Sequence, residues 1–337
     1  MVQIVIGTQK GGFVLDPARA RIEGPFFKGW KVTTATSSGG RVFVATASDV
    51  YGAAVHEGPS LSELRQIEHG PAYAKDSKHK LNQVWRLVAR GETLWAGVDE
   101  AGIFRRDEGG PFEPVAALND HSSRSRWQPG FGGLCAHALL FDEERIWCGI
   151  SAVGLFRSDD GGRTFAPRND GVPAMLEDEV EKGIGRCPHA LVQDPGNPEL
   201  IWRQDHAGMF RTRDGGDSWE RIESGLPSRF GFPLALHAKT RTLFAFPLES
   251  DEHRMPPGGR FAVYRSRDEG SSWEPAGKPL EGFHAGVLRG AIACDDEGRV
   301  YVGSTAGTLH VGENLGESWR AVAGTLPRIL SVSVIAS

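Results

Sequence analysis

Two pairs of adjacent side chains in this sequence have the types needed for proton transfer: Asp205 beside His206, and Asp99 beside Glu100. A carboxyl or imidazole held against a reacting atom can give or take its proton, and Glu249, in Pro247-Leu-Glu-Ser-Asp-Glu252, is a further carboxylate of this kind. Glycoside cleavage takes two such carboxyls across one sugar, one protonated and one ionised. Metal binding is a second chemistry. His137 in Cys135-Ala-His and His189 in Cys187-Pro-His recur in one local phrase, and with His206 they make three imidazoles. Joined by Asp99 or Asp205, these would hold Zn or Mn with an open position; hydrogen-bonded structural histidines would look the same in sequence. Anion capture is a third. Arg126, Arg186, Arg289 and Lys10 can clamp a carboxylate or phosphate, Arg through its bidentate fork. Ser151 can hydrogen-bond a ligand, while Trp85 and Trp127 can either stack on a sugar ring or plug a core.

The elements that must position these residues repeat along the chain. Phe156-Arg-Ser-Asp-Asp-Gly-Gly-Arg-Thr-Phe165, Phe210-Arg-Thr-Arg-Asp-Gly-Gly-Asp-Ser-Trp219 and Tyr264-Arg-Ser-Arg-Asp-Glu-Gly-Ser-Ser-Trp273 are copies of one phrase, 54 residues apart. His310-Val-Gly-Glu-Asn-Leu-Gly-Glu-Ser-Trp319 is a decayed copy, with Gly312 and Asn314 in place of the hydroxyl and the Asp, and Phe104-Arg-Arg-Asp-Glu-Gly-Gly110 is a fragment of another. Such a period marks a repeat architecture. The phrase predicts a hairpin turn whose hydroxyl and carboxylate bond local backbone, whose Gly takes the left-handed conformation and whose aromatic packs between units.

Around the first full copy, alternation of apolar and polar residues predicts four strands, at 137–142, 145–150, 154–158 and 164–167. Second strands of the same kind are predicted at 2–7, 42–46, 94–98, 200–203, 242–246 and 300–303. Residues 328–337 read as an inner strand, whereas the chain starts directly on a second strand, so the two ends complete one unit. The expectation is an all-β, seven-bladed β-propeller, a single domain over residues 1–337, closed by pairing of the C-terminal strand with the N-terminal blade. On that frame Gln9, Asp49, Asp99, Ser151, Asp205 and Ser304 share one turn register, in which turn chemistry alone would also favour polar residues. Trp85, His137, His189 and Arg289 open inner strands at the mouth of the central channel. The long irregular segments 68–82, 119–133, 169–187 and 249–260 fall on the same face, where function concentrates. They carry Lys75, Lys78, Lys80, Arg124, Lys182 and, offsetting them, Glu177, Asp178, Glu179 and Glu181.

The repeated phrase resembles the Asp-box, or BNR repeat, through Ser158, Asp160, Gly162, Thr164 and Phe165 and the equivalent sets ending at Trp219 and Trp273. From Cys135 onward the chain is similar to bacterial proteins known as BNR-repeat glycosyl hydrolases or exo-alpha-sialidase-like proteins, through Trp202-Arg-Gln-Asp-His-Ala-Gly-Met-Phe210, Phe230-Gly-Phe-Pro233 and Pro247-Leu-Glu-Ser-Asp-Glu252. The resemblance implies a propeller whose box turns lie on the face away from the active site. It carries over no catalytic residue. Sialidases also need an arginine triad and a Tyr nucleophile with its Glu; of the four Tyr here, Tyr264 and Tyr301 lie inside strand patterns, which argues against sialidase activity.

Composition narrows the classes. With 39% hydrophobic residues and no apolar run near the roughly 20 residues of a spanning helix, a transmembrane protein is excluded and no membrane partner is expected. Residues 1–12 lack the basic and apolar pattern of an export leader, and the four Cys make neither a short-spaced metal pair nor a disulfide framework, which together lead to a cytoplasmic expectation. A net charge of -5 speaks against a nucleic-acid partner. A monomer is expected, since a closed ring buries its own edges. The functional expectation is a glycoside-hydrolase-like hydrolase or lyase acting on a small carbohydrate-like or anionic ligand at the channel mouth; the alternative is a non-catalytic scaffold that binds a protein partner.

Overall fold

Among the described residues the chain is almost wholly extended, with helix confined to single turns such as Ala116–Asn119 and Arg124–Arg126. The computed structural model describes residues 2–17, 21–175, 183–322 and 325–336. No helix among these is long and apolar enough to cross a membrane. Five four-stranded antiparallel sheets start from the strands Lys31–Ser38, Gln83–Arg90, Ala136–Asp142, Pro188–Asp194 and Gly231–His237. A larger sheet joins two more four-stranded sets: one starts at Val287–Cys294, and the other pairs Ile329–Ala336 antiparallel with Val2–Thr8. The two sets meet in a single parallel contact, Gly290 against Ser331.

Each first strand lies beside the first strand of the preceding sheet, and Ile329–Ala336 lies beside both Val287–Cys294 and Lys31–Ser38. All seven contribute to the lining of one central cavity of about 310 Å³. The second strands, Arg145–Ile150 or Val300–Ser304 for example, are buried almost end to end. A strand covered on both faces reads as a continuous apolar run, and neighbouring sheets supply both covers. Gly97 shows how tight this stacking is: a Cβ there would lie 2.2 Å from the carbonyl oxygen of Ala136 in the next sheet.

The repeated turns close as their sequence predicts. Asp214 accepts bonds from Thr212 Oγ1 (2.6 Å), Ser218 N (2.9 Å) and Ser218 Oγ (2.6 Å), and Asp160 and Asp268 make the same sets. Hydrogen bonds from Thr164 and Ser158 hold the Asp160 carboxyl down at about 2. The repeat also carries a latch between sheets. Arg157, Arg211 and Arg265 each donate to a backbone carbonyl in the next sheet's turn, at Gly215, Glu269 and Leu315 (3.0, 2.9 and 2.9 Å). In the other direction the indoles of Trp219, Trp273 and Trp319 donate to Arg168, Ile222 and Ala276 carbonyls of the preceding sheet. Trp319 keeps this bond although its turn has lost the hydroxyl and the Asp.

Candidate functional site

The first strands carry an irregularity at equivalent places. Pairing with the second strand skips Thr33, Trp85, His137, His189 and Leu330 in five of the four-stranded sets, and wider shifts flank Phe232 and Arg289 in the others. A bulge re-aims the residue left out of the ladder. Six of these seven residues line the central cavity, and Phe232 lines a second cavity at its mouth.

The mouth cavity, about 580 Å³, is walled by three of the four long segments predicted to cover it, through Phe131, Met175, Asp251 and Arg254 among others. Four predicted site residues reach it: Ser151, His189, His206 and Arg289. His189 donates Nδ1–H to the Gly231 carbonyl (2.6 Å), and burial, reinforced by Arg289, holds it far below the ordinary imidazole range, so the ring is neutral. The His206 ring lies 6.0 Å from that of His189 and 5.3 Å from Phe230, with Nε2 at 3.5 Å from Asp251 Oδ2. The Arg289 guanidinium sits 4.9 Å from the centre of the Phe232 ring and that of Arg254 5.5 Å from it. Neither arginine has a carboxylate partner among the described residues. Burial pulls the Arg289 pKa down, with the Arg254 charge adding to the effect.

Several predicted roles move. Asp205 is 1% exposed and its Oδ2 is gripped by Arg203, itself fully buried, through Nε (2.9 Å) and Nη2 (2.5 Å). Its Oδ1 takes the Ala207 N–H (3.0 Å), so Asp205 shapes the turn that presents His206 instead of meeting a substrate. Trp127 is 5% exposed, donates to Ser123 Oγ and packs on Phe156, so it is a core residue with no face left for a sugar. Arg186 spends its donors on the Val172 and Ile184 carbonyls, fastening its own loop. Glu100 accepts from His79 Nδ1 (3.0 Å); burial opposes ionisation there, yet that bond and its neighbours leave the carboxyl below its usual range. Asp99, beside Asn82 and Cys135, is raised by burial. Glu249 caps its own loop through Gly258 N. Lys10 is exposed on its turn, and neither it nor Arg126, in the turn Arg124–Arg126, lines the mouth cavity.

The three imidazoles do not form a metal site. His137 faces Trp85 in the central cavity, whereas His206 opens into the mouth, and among the described residues no three His, Cys, Asp or Glu side chains converge. The predicted pair of carboxylates is likewise not assembled, Asp251 being the one carboxylate among the described residues that line the mouth. Lys182, Glu177, Asp178, Glu179 and Glu181 lie outside the described residues. Asp251, Arg254 and Phe131 had no periodic signal to reveal them. For Asp205 a signal existed: Arg203 and Asp205 are two apart on one strand and share a face.

No protein-family model matches the sequence, and no curated protein matches it. Among solved structures the chain is similar to an ancestral GH74 enzyme at 15% identity (TM-score 0.57, covering 86% of this chain and 38% of that one). It is also similar to a GH74 enzyme of Niastella koreensis at 18% identity (TM-score 0.56, 95% and 46%). PorZ, a surface component of the type-IX secretion system of Porphyromonas gingivalis, matches at 12% (TM-score 0.53, 90% and 34%). The chain spans less than half the length of each. At such identities the likeness shows the fold: a β-propeller architecture of the kind glycoside hydrolases also use.

Proposed function

We propose that the chain is a single seven-bladed propeller, closed where Ile329–Ala336 pairs with Val2–Thr8, that binds and transforms a small carboxylated sugar at its mouth. Closure is supported by the seven first strands sharing one cavity and by the chain ends meeting in one sheet. The observation that carries the ligand assignment is the pair of guanidiniums without a carboxylate partner among the described residues, Arg289 and Arg254, flanking Phe232 inside a cavity also lined by Phe131 and Phe230; Arg254 Nε is held by the Asp251 carbonyl (2.9 Å). Two like charges held this close are relieved by an anion, and Arg matches a carboxylate in both shape and charge. The rings offer an apolar wall to the sugar face.

One carboxylate cannot do the work of the acid and base pair of a glycosidase. The groups present favour elimination. His206, with Asp251 placed to stabilise its imidazolium, removes the proton α to the substrate carboxylate while both arginines neutralise the charge that develops there. The β C–O bond then breaks with its electron pair on oxygen, the α–β bond becomes double, and the departing oxygen takes a proton from the imidazolium or water. Incubation with short uronate-containing oligosaccharides, followed by ultraviolet absorbance of the unsaturated product, tests this. His206→Gln should lower kcat by about 10²–10⁴, and Arg254→Gln should act mainly on KM. Failure of every uronate tried to bind would defeat the assignment.

A second reading, a non-catalytic scaffold docking a protein partner on the rim, is favoured by Phe131, which is 96% exposed, and by the exposed Met175 and Met255. Under it Phe131→Ser abolishes partner capture and no uronate is consumed.

A further inference from the structure

The central cavity below the mouth is chemically one-sided. Arg86 and Arg289 line it with His137, His189 and the hydroxyl-bearing Thr34 and Ser333, and no Asp or Glu is among the described residues that line it. Neither arginine is ion-paired to a described residue. Arg86 is exposed along the cavity, whereas Arg289 Nε is buried without a hydrogen-bond partner among the described residues. His137 is 9% exposed, and neither of its ring nitrogens has a partner among the described residues. Buried polar atoms are nearly always satisfied, so an orphaned donor and two orphaned imidazole nitrogens around one space need an occupant that water or an ion supplies. Two uncompensated positive charges decide between them. Cations facing a confined space without counter-charge concentrate anions there.

We infer that this cavity is a second binding compartment, for a small inorganic oxyanion such as phosphate or sulfate, held between Arg86 and Arg289 with His137 as a further donor. A tetrahedral oxyanion presents an acceptor in each direction from which these groups approach, and Arg meets it with two parallel N–H bonds. At about 310 Å³ the space exceeds one such ion, and with roughly 30 Å³ per water the remainder holds part of its hydration shell. His189 and Arg289 are common to both linings, so the oxyanion lies beneath the groups that face the mouth ligand. The compartment shares Arg289 with the mouth but not Asp251 or Arg254, which do not line it, while Arg86 belongs to it and not to the mouth.

Equilibrium dialysis of the full chain against radiolabelled inorganic phosphate, with sulfate or chloride as competitor at constant ionic strength, tests the inference. The expected result is saturable uptake of one phosphate per chain, displaced by sulfate and not by chloride. Arg86→Gln should weaken it by about tenfold or more, as loss of a charge-assisted bond does, whereas Arg254→Gln should leave it within about twofold. Circular dichroism establishes that each variant is folded; if Arg86→Gln is not, Arg86→Lys, which keeps the charge and loses the fork, should still weaken phosphate binding measurably. Absence of saturable uptake, or uptake lost in Arg254→Gln and retained in folded Arg86→Gln or Arg86→Lys, would overturn the inference. The first outcome leaves the mouth assignment standing; the second places the phosphate at the mouth arginines instead.

Discussion

Replacing Asp205 by Ala separates a structural role from a catalytic one. In the folded chain Arg203 is fully buried, and its charge is met by two bonds from its Nε and Nη2 to Asp205 Oδ2, with Nη1 on Asn169 Oδ1 at 2.8 Å. Removing the carboxylate leaves a buried guanidinium without counter-charge, a change that costs about 3–5 kcal/mol. The unfolding entropy of about 2.1 cal/mol/K per residue gives roughly 0.7 kcal/mol/K for 337 residues, so Tm should fall by about 4–7 °C. Differential scanning calorimetry at neutral pH measures this directly. Replacing both partners by apolar residues of similar volume, Arg203→Met with Asp205→Leu, should recover part of the loss, because no charge is then stranded. A Tm for Asp205→Ala within about 1 °C of the parent, together with abolished turnover of a mouth ligand, would refute the structural assignment and return Asp205 to the chemistry.

Acid should loosen the repeated turns. Asp160 sits at about 2 chiefly through its bonds to Thr164; Asp214 is also at about 2, where burial is outweighed by bonds from Ser218 and Thr212. Their stabilisation is complete above the ordinary carboxylate range and is lost as pH falls from about 4 toward 2. A Tm–pH curve should bend downward there and flatten in an Asp160→Asn, Asp214→Asn, Asp268→Asn triple variant; an unchanged bend would mean that other groups govern it. Trp127→Ala should cost about 3–5 kcal/mol as a core truncation, read as a lower denaturation midpoint, whereas a sugar-stacking Trp would leave the midpoint alone. Gly225→Ala should destabilise by more than about 2 kcal/mol, since φ is +93° and the new Cβ would lie 2.1 Å from the Trp273 carbonyl oxygen. The exposed control Gly39→Ala, with φ +57° and open space around it, should cost less in the same denaturant titration.

What could be read beforehand was what local chemistry determines. The strands at 145–150 and 154–158 appear with those bounds because their apolar and aromatic residues and Gly154 at the turn define them without help from distant residues. Turn positions for Ser151 and His206 and strand-start positions for His189 and Arg289 were read onto one face, and all four line the mouth. Residues carried by irregular segments were invisible, because nothing periodic fixes the path that brings Asp251 to His206 or Arg254 to Phe232. Burial misled at Trp127 and Arg186: a residue type that suits a ligand also suits a core or a carbonyl, and only the packing of Phe156 and Val172 against them decides. The metal expectation failed for a related reason. Equivalent strand positions place His137 and His189 at the same level, but His206 belongs to a turn above it.

The irregularities at Thr33, Trp85, His137 and His189 have a consequence for how such a molecule changes over time. Each occupies a place where the ladder is already interrupted, and each comes from a different sheet. Substituting Trp85 or His137 alters the interior wall without removing a side-chain bond to a neighbouring sheet's backbone, whereas Thr33 and His189 donate to the Val84 and Gly231 carbonyls; the Arg and Trp latches at the outer turns keep the sheets aligned. The lining can therefore change at Trp85 and His137 with the backbone ladder left as it is, while Thr33 and His189 tie their identity to the sheet beside them.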